Sequence, residues 1–206
     1  MEDQNKYLPG LRQAAQAFAA GDPSGMAWAS GVPYDPAAGA FTLTYFGTRY
    51  IIRHPSGAVE GPADPDEGEG RATRRKICFL HYLTQATGGE VAGRWLSYRQ
   101  MKGGQFHFNV FRTEALAPLA RRFGEDLAAL RRAGAALGGE PLDSGDAAYS
   151  FLPLPQVRLG FILYAGDAEE EAAANIVFDA AAGEHLPTDD LAFLAEDITR
   201  RLIAAA

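Results

Sequence analysis

Sulfur chemistry is nearly absent from these 206 residues, which hold one cysteine, Cys78, and three methionines. A single cysteine excludes an internal disulfide. It also excludes a self-contained iron–sulfur cluster or thiolate zinc site, which need several thiolates. Positive charge is short as well, with 19 Lys and Arg against 26 Asp and Glu and a net charge of −7. Phosphate backbones are held by a basic footprint, so nucleic acid is not the expected partner. No apolar run reaches the roughly 20 residues needed to span a bilayer. The opening MEDQNKYLPG has neither the basic nor the apolar part of a secretory leader. A soluble cytoplasmic protein without a membrane partner is the expectation. His-Glu-x-x-His and EF-hand spacings are also missing, so no motif announces a reaction.

What is present is ordinary for a globular chain: 47% hydrophobic and 22% charged residues. The length fits one domain, able to bury roughly 70% of its unfolded surface without a metal or disulfide staple. Leu11, Ala15 and Phe18 predict a helix over Leu8 to Ala20, stopped by Gly21-Asp22-Pro23. A short helix follows over Ser24 to Ala29, then a turn-rich stretch around Tyr34. Phe41, Leu43 and Tyr45 alternate with Thr42 and Thr44, which predicts a β-hairpin from Phe41 to His54 turning at Gly47-Thr48. Pro55 to Gly70 is acidic and rich in Pro and Gly, and reads as a mobile loop.

A helix over Ala72 to Thr87 carries Ile77, Leu80 and Leu83, ending at Gly88-Gly89. An aromatic loop leads to a short strand over Phe106 to Phe111. Thr113 then caps a long helical phase that runs through Leu116, Leu119, Phe123, Leu127, Leu130 and Leu137, kinked or broken at Gly124. Strands are expected over Ala147 to Leu152, Val157 to Tyr164 and Asn175 to Asp179, in one sheet with the hairpin. The last helix, Asp189 to Leu202, takes Thr188 as its N-cap. Helices and strands do not alternate, so the expected class is α+β: a single domain with a largely antiparallel sheet of about five strands packed with helices.

Three stretches then carry a family resemblance. The first is Phe79-Leu80-His81-Tyr82-Leu83 with Gly93-Arg94-Trp95-Leu96-Ser97-Tyr98-Arg99-Gln100 and Gly103-Gly104. The second is the Phe123-Gly124 helix running into Leu137-Gly138-Gly139. The third is Leu152-Pro153-Leu154-Pro155, Tyr164-Ala165-Gly166-Asp167-Ala168-Glu169, Phe178-Asp179 and His185-Leu186-Pro187-Thr188-Asp189-Asp190. Together they resemble the bacterial and archaeal family called domain of unknown function 3786, over roughly Leu11 to Leu202. The resemblance brings no catalytic residues with it. Some members resemble fusions to a cysteine-rich iron–sulfur domain also found in corrinoid iron–sulfur proteins. That implies a role near corrinoid or one-carbon chemistry, with a corrinoid or iron–sulfur protein as partner. This chain departs from those fusions in lacking the cysteine-rich segment. The resemblance also implies a glutamate where Gln100 stands.

Two groups of residues are candidates for a site. Trp95 and Tyr98 supply flat apolar surface, Arg99 a fork of donors, and Gly103-Gly104 close backbone approach; with His81 they form a candidate ligand-binding set for a flat or anionic molecule. The plainer reading makes this a structural loop with Arg99 capping carbonyls, and His81 a buried, hydrogen-bonded histidine. Cys78 lies one turn from His81, a spacing open to a nucleophile–base pair or to simple burial. The second group is acidic: Asp167, Glu169, Glu170, Glu171, Asp179, His185, Asp189 and Asp190. Asp167, Asp179 and His185 within it are candidate metal ligands, against the plainer reading of strand-end and helix-start acids. No cofactor or catalytic residue is assigned. The leading expectation is an accessory or ligand-binding protein; the alternatives are a small metal-dependent enzyme and a protein-binding scaffold.

Overall fold

Two antiparallel sheets organise the chain, which the computed structural model describes over residues 6–62 and 67–206. Helix α1 (Leu8–Ala20) buries Ala14 and Phe18. Gly21 turns extended and ends it, and Asp22 caps α2 (Pro23–Ser30), its carboxylate accepting the Gly25 N–H at 2.7 Å with Pro23 at the first helical position.

The first sheet is a meander of β1 (Tyr34–Asp35), β2 (Ala40–Tyr45), β3 (Thr48–Arg53) and β4 (Ala58–Glu60). Phe41, Leu43 and Tyr45 face inward as the alternation predicts. The turn between β2 and β3 is Phe46-Gly47, one residue earlier than expected. Both positions have positive φ, 47° and 71°, so glycine serves the second place of the turn and Thr48 already pairs with Tyr45. Within the stretch read as a loop, β4 pairs with β3 and Arg53 holds Glu60 at 2.9 Å. Residues 63–66 of that stretch lie outside the described residues.

Helix α3 (Glu69–Gln85) starts three residues earlier than expected and closes before Gly88-Gly89, where Ala86 turns extended. Strand β5 (Trp95–Ser97) leads into a 3₁₀ turn over Tyr98–Gln100, where Gln100 accepts from the backbone N–H and hydroxyl of Ser97 at 2.9 and 3.0 Å. The strand expected over Phe106 to Phe111 is instead helix α4 (Gly104–Phe111). Its alternating Phe106, Phe108 and Val110 mimic a β pattern, but Phe111 is buried and stacks on Tyr98 at 4.1 Å, which fixes the segment as a helix. A π-helical segment, Arg112–Leu116, joins α4 to α5 (Ala117–Phe123). Thr113 therefore lies inside a continuous helix, donating to the Asn109 carbonyl at 3.0 Å, and caps nothing. Asp126 caps α6 (Leu127–Ala136) through the Ala129 N–H at 2.9 Å.

The second sheet has the order β5, β9 (Ala173–Asp179), β8 (Val157–Tyr164), β7 (Ala147–Leu154) and β6 (Glu140–Pro141), all antiparallel. The hairpin does not join it, contrary to the one-sheet expectation. The open edges of β2 and β3 are taken by β1 and β4, and the hairpin meets the second sheet only through side chains, with Phe46 and Phe151 rings 6.0 Å apart. Helices α7 (Ala182–His185) and α8 (Thr188–Ala204) follow. Thr188 makes no cap; its hydroxyl donates to the Lys102 carbonyl at 2.8 Å and ties the start of α8 to the turn before α4. The fold is α+β, as expected. One apolar cluster takes Phe41 and Tyr45 from the first sheet, Phe161 and Phe178 from the second, and Phe79, Phe123 and Leu194 from the helices. Each such fully buried side chain contributes about 1.5–3 kcal/mol. No described helix is long and apolar enough to cross a membrane.

Candidate functional site

Helices α3 and α8 run antiparallel and are stitched by charged pairs. As the number rises on α3 it falls on α8: Arg71 with Asp197 at 3.9 Å, Arg74 with Glu196 at 2.5 Å, His81 with Asp190 at 2.6 Å. The α3 partners recur at helical spacing and share one face. Asp197 is fully buried. It accepts the Tyr45 hydroxyl at 2.8 Å and Arg201 Nε at 2.7 Å, with Arg200 at 3.5 Å. Burial, reinforced by Asp197, pushes the Tyr45 hydroxyl far above its ordinary pKa.

A cleft of about 650 Å³ lies along this seam. Helix α3 contributes Arg71, Arg74, Ile77 and His81; α8 contributes Asp189, Asp190, Ala192 and Glu196. The opposite wall is α4 and the π segment with His107, Val110, Phe111 and Glu114, and Tyr98 is beside them. Lys6 and Tyr7 line it too. A neighbouring depression of about 590 Å³ shares His107, Pro187 and Asp189 with it and adds Lys102 and Gly103.

Asp190 fixes the ring of His81. Its carboxylate faces Nδ1, so that in the neutral ring Nδ1 carries the proton and Nε2 holds the lone pair. Nε2 has no protein partner among the described residues. Tyr98 is 2% exposed, yet its hydroxyl also has no hydrogen-bond partner among them. Burial, with Asp189 and Glu196 nearby, pushes that hydroxyl up to about 12, so it stays a neutral donor at ordinary pH. Gly104 lets α4 approach Tyr98: a Cβ there would collide with the Tyr98 carbonyl oxygen. Gly103 turns the chain at φ +76°.

The family described as Domain of unknown function (DUF3786) matches residues 22–201 of the 206. The chain belongs to that family. No curated protein and no solved structure matches it.

In this DUF3786 chain the expected ligand loop is divided. His81 and Tyr98 line the cleft and Gly103 the neighbouring depression, whereas Trp95 and Arg99 line neither. Alternation along β5 places Leu96 toward the main core and Trp95 on the other face of the sheet, against Ala148, Ile162 and Val177, under Arg158 at 5.6 Å. Arg99 is exposed and lies over the Phe108 ring at 3.8 Å; it caps no carbonyl among the described residues.

The three metal candidates each have separate work. Asp167 closes its own exposed loop, accepting the N–H groups of Glu169 and Glu170 at 2.8 Å each, which hold its carboxyl below the usual carboxylate range. Asp179 is buried and accepts from Ala92, Gly93 and Ala181 N–H at 2.7, 2.8 and 2.9 Å. His185 is buried with Nδ1 toward the Thr87 N–H at 3.3 Å, while its Nε2 has no partner among the described residues. Among those residues no three His, Cys, Asp or Glu side chains gather to hold a metal ion. Cys78 is fully buried, and burial, with Asp190 and Asp197, pushes its thiol well up, which fits the plainer reading of a core residue. Sequence reasoning missed Asp190 as the partner of His81, and missed His107 and the Arg74–Glu196 pair. The available signal was the polar stripe Arg71, Arg74, His81 at helical spacing, opposite a helix carrying acids at 189, 190, 196 and 197.

Proposed function

We propose that this chain binds a small organic molecule in the α3–α8 cleft, with His81 Nε2 and the Tyr98 hydroxyl as its polar anchors. The carrying observation is the Asp190–His81 contact at 2.6 Å, which orients a ring nitrogen that no other side chain among the described residues uses. A concave site with apolar walls and a few convergent polar groups is the usual form of a ligand pocket. Ile77, Val110, Phe111 and Ala192 supply the apolar walls here. The accessory role and the corrinoid or iron–sulfur partner go with this reading on the family resemblance alone, and a cytoplasmic setting accompanies them. The metal-enzyme alternative draws less support, because Asp167, Asp179 and His185 each hold a local backbone contact.

A second reading rests on the same dyad. A carboxylate behind an imidazole, with a neutral phenol nearby, is the arrangement of a general base and its donor. Proton transfer at Nε2 would then be the chemistry of the site.

A fragment screen by protein-observed NMR tests the binding reading. Hits are expected to shift resonances of Ile77, His81 and Phe111, and to be lost in His81→Ala. A screen whose hits all fall elsewhere, or persist unchanged in that variant, overturns it.

A further inference from the structure

We infer that the ligand of this cleft carries an oxyanion, a carboxylate or a phosphate, received at the end formed by Arg71 and Lys6; this rests on the binding reading above. The cleft as a whole is not cationic; its positive charge is concentrated locally. Arg74 is matched by Glu196, which it grips at 2.5 and 3.4 Å, and Asp190 is engaged by the His81 Nδ1–H. Arg71 is different. Its carboxylate, Asp197, lies 3.9 Å away and already accepts from Tyr45 and Arg201 with Arg200 alongside. One buried carboxylate therefore faces three guanidinium groups. Arg71 Nη1 is buried without a hydrogen-bond partner among the described residues. Lys6 adds an ammonium that lies over the Tyr7 ring at 5.2 Å.

The unmatched acids of the cleft do not cancel this surplus. Asp189 and Asp190 sit at the start of α8, eight and seven residues from Asp197 and so about 10–12 Å along the axis. Glu114 makes no ion pair with Arg71 or Lys6 among the described residues. A guanidinium and an ammonium with donors unused among the described residues favour an oxyanion, whose charge-assisted hydrogen bonds are the strong ones. Between that end and His81, α3 advances ten residues, about 15 Å, past Ile77 and opposite Val110 and Phe111. The ligand is thus an anion with an apolar body whose far end carries a hydrogen-bonding atom for His81.

NMR titration of the full chain with hexanoate, inorganic phosphate, hexanol and hexylamine tests this. Hexanoate, phosphate or both are expected to shift the Arg71 side-chain and Ile77 amide resonances. Phosphate alone would identify a phosphate site, hexanoate alone a carboxylate site. Lys6→Gln and Arg71→Gln are each expected to weaken the anion roughly tenfold, the loss of one charge-assisted contact, while His81→Ala leaves phosphate binding in place. Arg71→Gln touches the buried Asp197 group, so the exposed Lys6→Gln keeps the test valid if the former fails to fold. Hexanol or hexylamine binding in the cleft as tightly as hexanoate, with no effect of phosphate, overturns the oxyanion and leaves the binding reading standing. Silence of all four at the cleft, together with a fragment screen that finds nothing there, removes both.

Discussion

Asp190 Oδ2 stands 2.6 Å from His81 Nδ1, joining the first turn of α8 to the last turns of α3. The contact does two things at once: it ties two helices together and it turns one imidazole nitrogen toward the cleft. Asp190→Asn separates those effects. The amide keeps the size of the side chain but loses the charge-assisted hydrogen bond, worth about 1.5–3 kcal/mol. We expect a lower melting temperature, and binding of cleft ligands weakened beyond what the stability loss accounts for. An unchanged melting temperature by calorimetry would mean that the pair contributes nothing to the seam.

The Asp197 group should be costlier to disturb. Asp197→Ala leaves Arg201 and the Tyr45 hydroxyl without their shared acceptor in a buried place, which costs about 3–5 kcal/mol for a broken buried charge pair. Tyr45→Phe removes only the hydroxyl, and Asp197 keeps Arg201 at 2.7 Å, so the loss should be nearer 1.5–3 kcal/mol. Urea unfolding ranks the two. A smaller loss for Asp197→Ala than for Tyr45→Phe would contradict the arrangement.

Two adjacent glycines make different demands. Gly103 has φ +76° with open space around it, so Gly103→Ala should cost only the left-handed backbone penalty of about 1–2 kcal/mol. Gly104 lies against the Tyr98 carbonyl, so Gly104→Ala forces α4 off the Tyr98 ring and opens the stack with Phe111. It should lose clearly more stability and also perturb the cleft wall. Equal losses in thermal melts of the two variants would show that the contact is soft.

His185 supplies a pH dependence. Burial lowers its pKa, with Glu184 and Asp179 partly opposing. In the unfolded chain the ring takes up its proton near 6.5, while in the fold that proton is resisted, because Nδ1 faces the Thr87 N–H. The unfolded state therefore binds more protons between the two pKa values, and stability falls as pH falls below about 6.5. The sign is that of a depressed group: full stabilisation above the unfolded value, loss on acidification toward the folded one. Urea midpoints of the wild type and His185→Gln, taken between neutral and mildly acidic pH, should converge as the pH drops. Parallel curves would remove His185 from the account.

Much of the fold was legible, because alternation and helical spacing report burial directly. Phe41, Leu43 and Tyr45 marked β2, Leu191, Leu194 and Ile198 marked α8, and both patterns survive in the structure. Partnership between strands was not legible: a β-patterned hairpin carries no label for which edge it joins, and here both its edges were taken locally. Helix α4 misled because Phe106 and Val110 are 79% and 62% exposed; with apolar residues on the outside, spacing no longer reports the buried face. His81 and Tyr98 stood out by residue type. Asp190 stood out only as one acid of a group, because an acid in the first turn of a helix already has a local explanation in the helix dipole, and only the packing of α8 on α3 reveals its pairing with His81.

Arg99 tests the boundary of the site. The sequence set it beside Tyr98 as a ligand contact, and the fold sends the two side chains apart, Tyr98 onto Phe111 and Phe178 and Arg99 over Phe108. An exposed guanidinium on an aromatic face is worth about 0.5–1 kcal/mol. Arg99→Ala should therefore lower the melting temperature only slightly and leave every cleft ligand bound as before. Tyr98→Phe should do the reverse in kind: it keeps the buried ring and its stack, so the fold holds, but it removes the unpartnered hydroxyl and weakens ligands that use it. Titrating one cleft-binding fragment into both variants decides the matter. If Arg99→Ala loses the fragment while Tyr98→Phe keeps it, the ligand lies on the Phe108 side of α4 and the cleft along α3 and α8 is not its site.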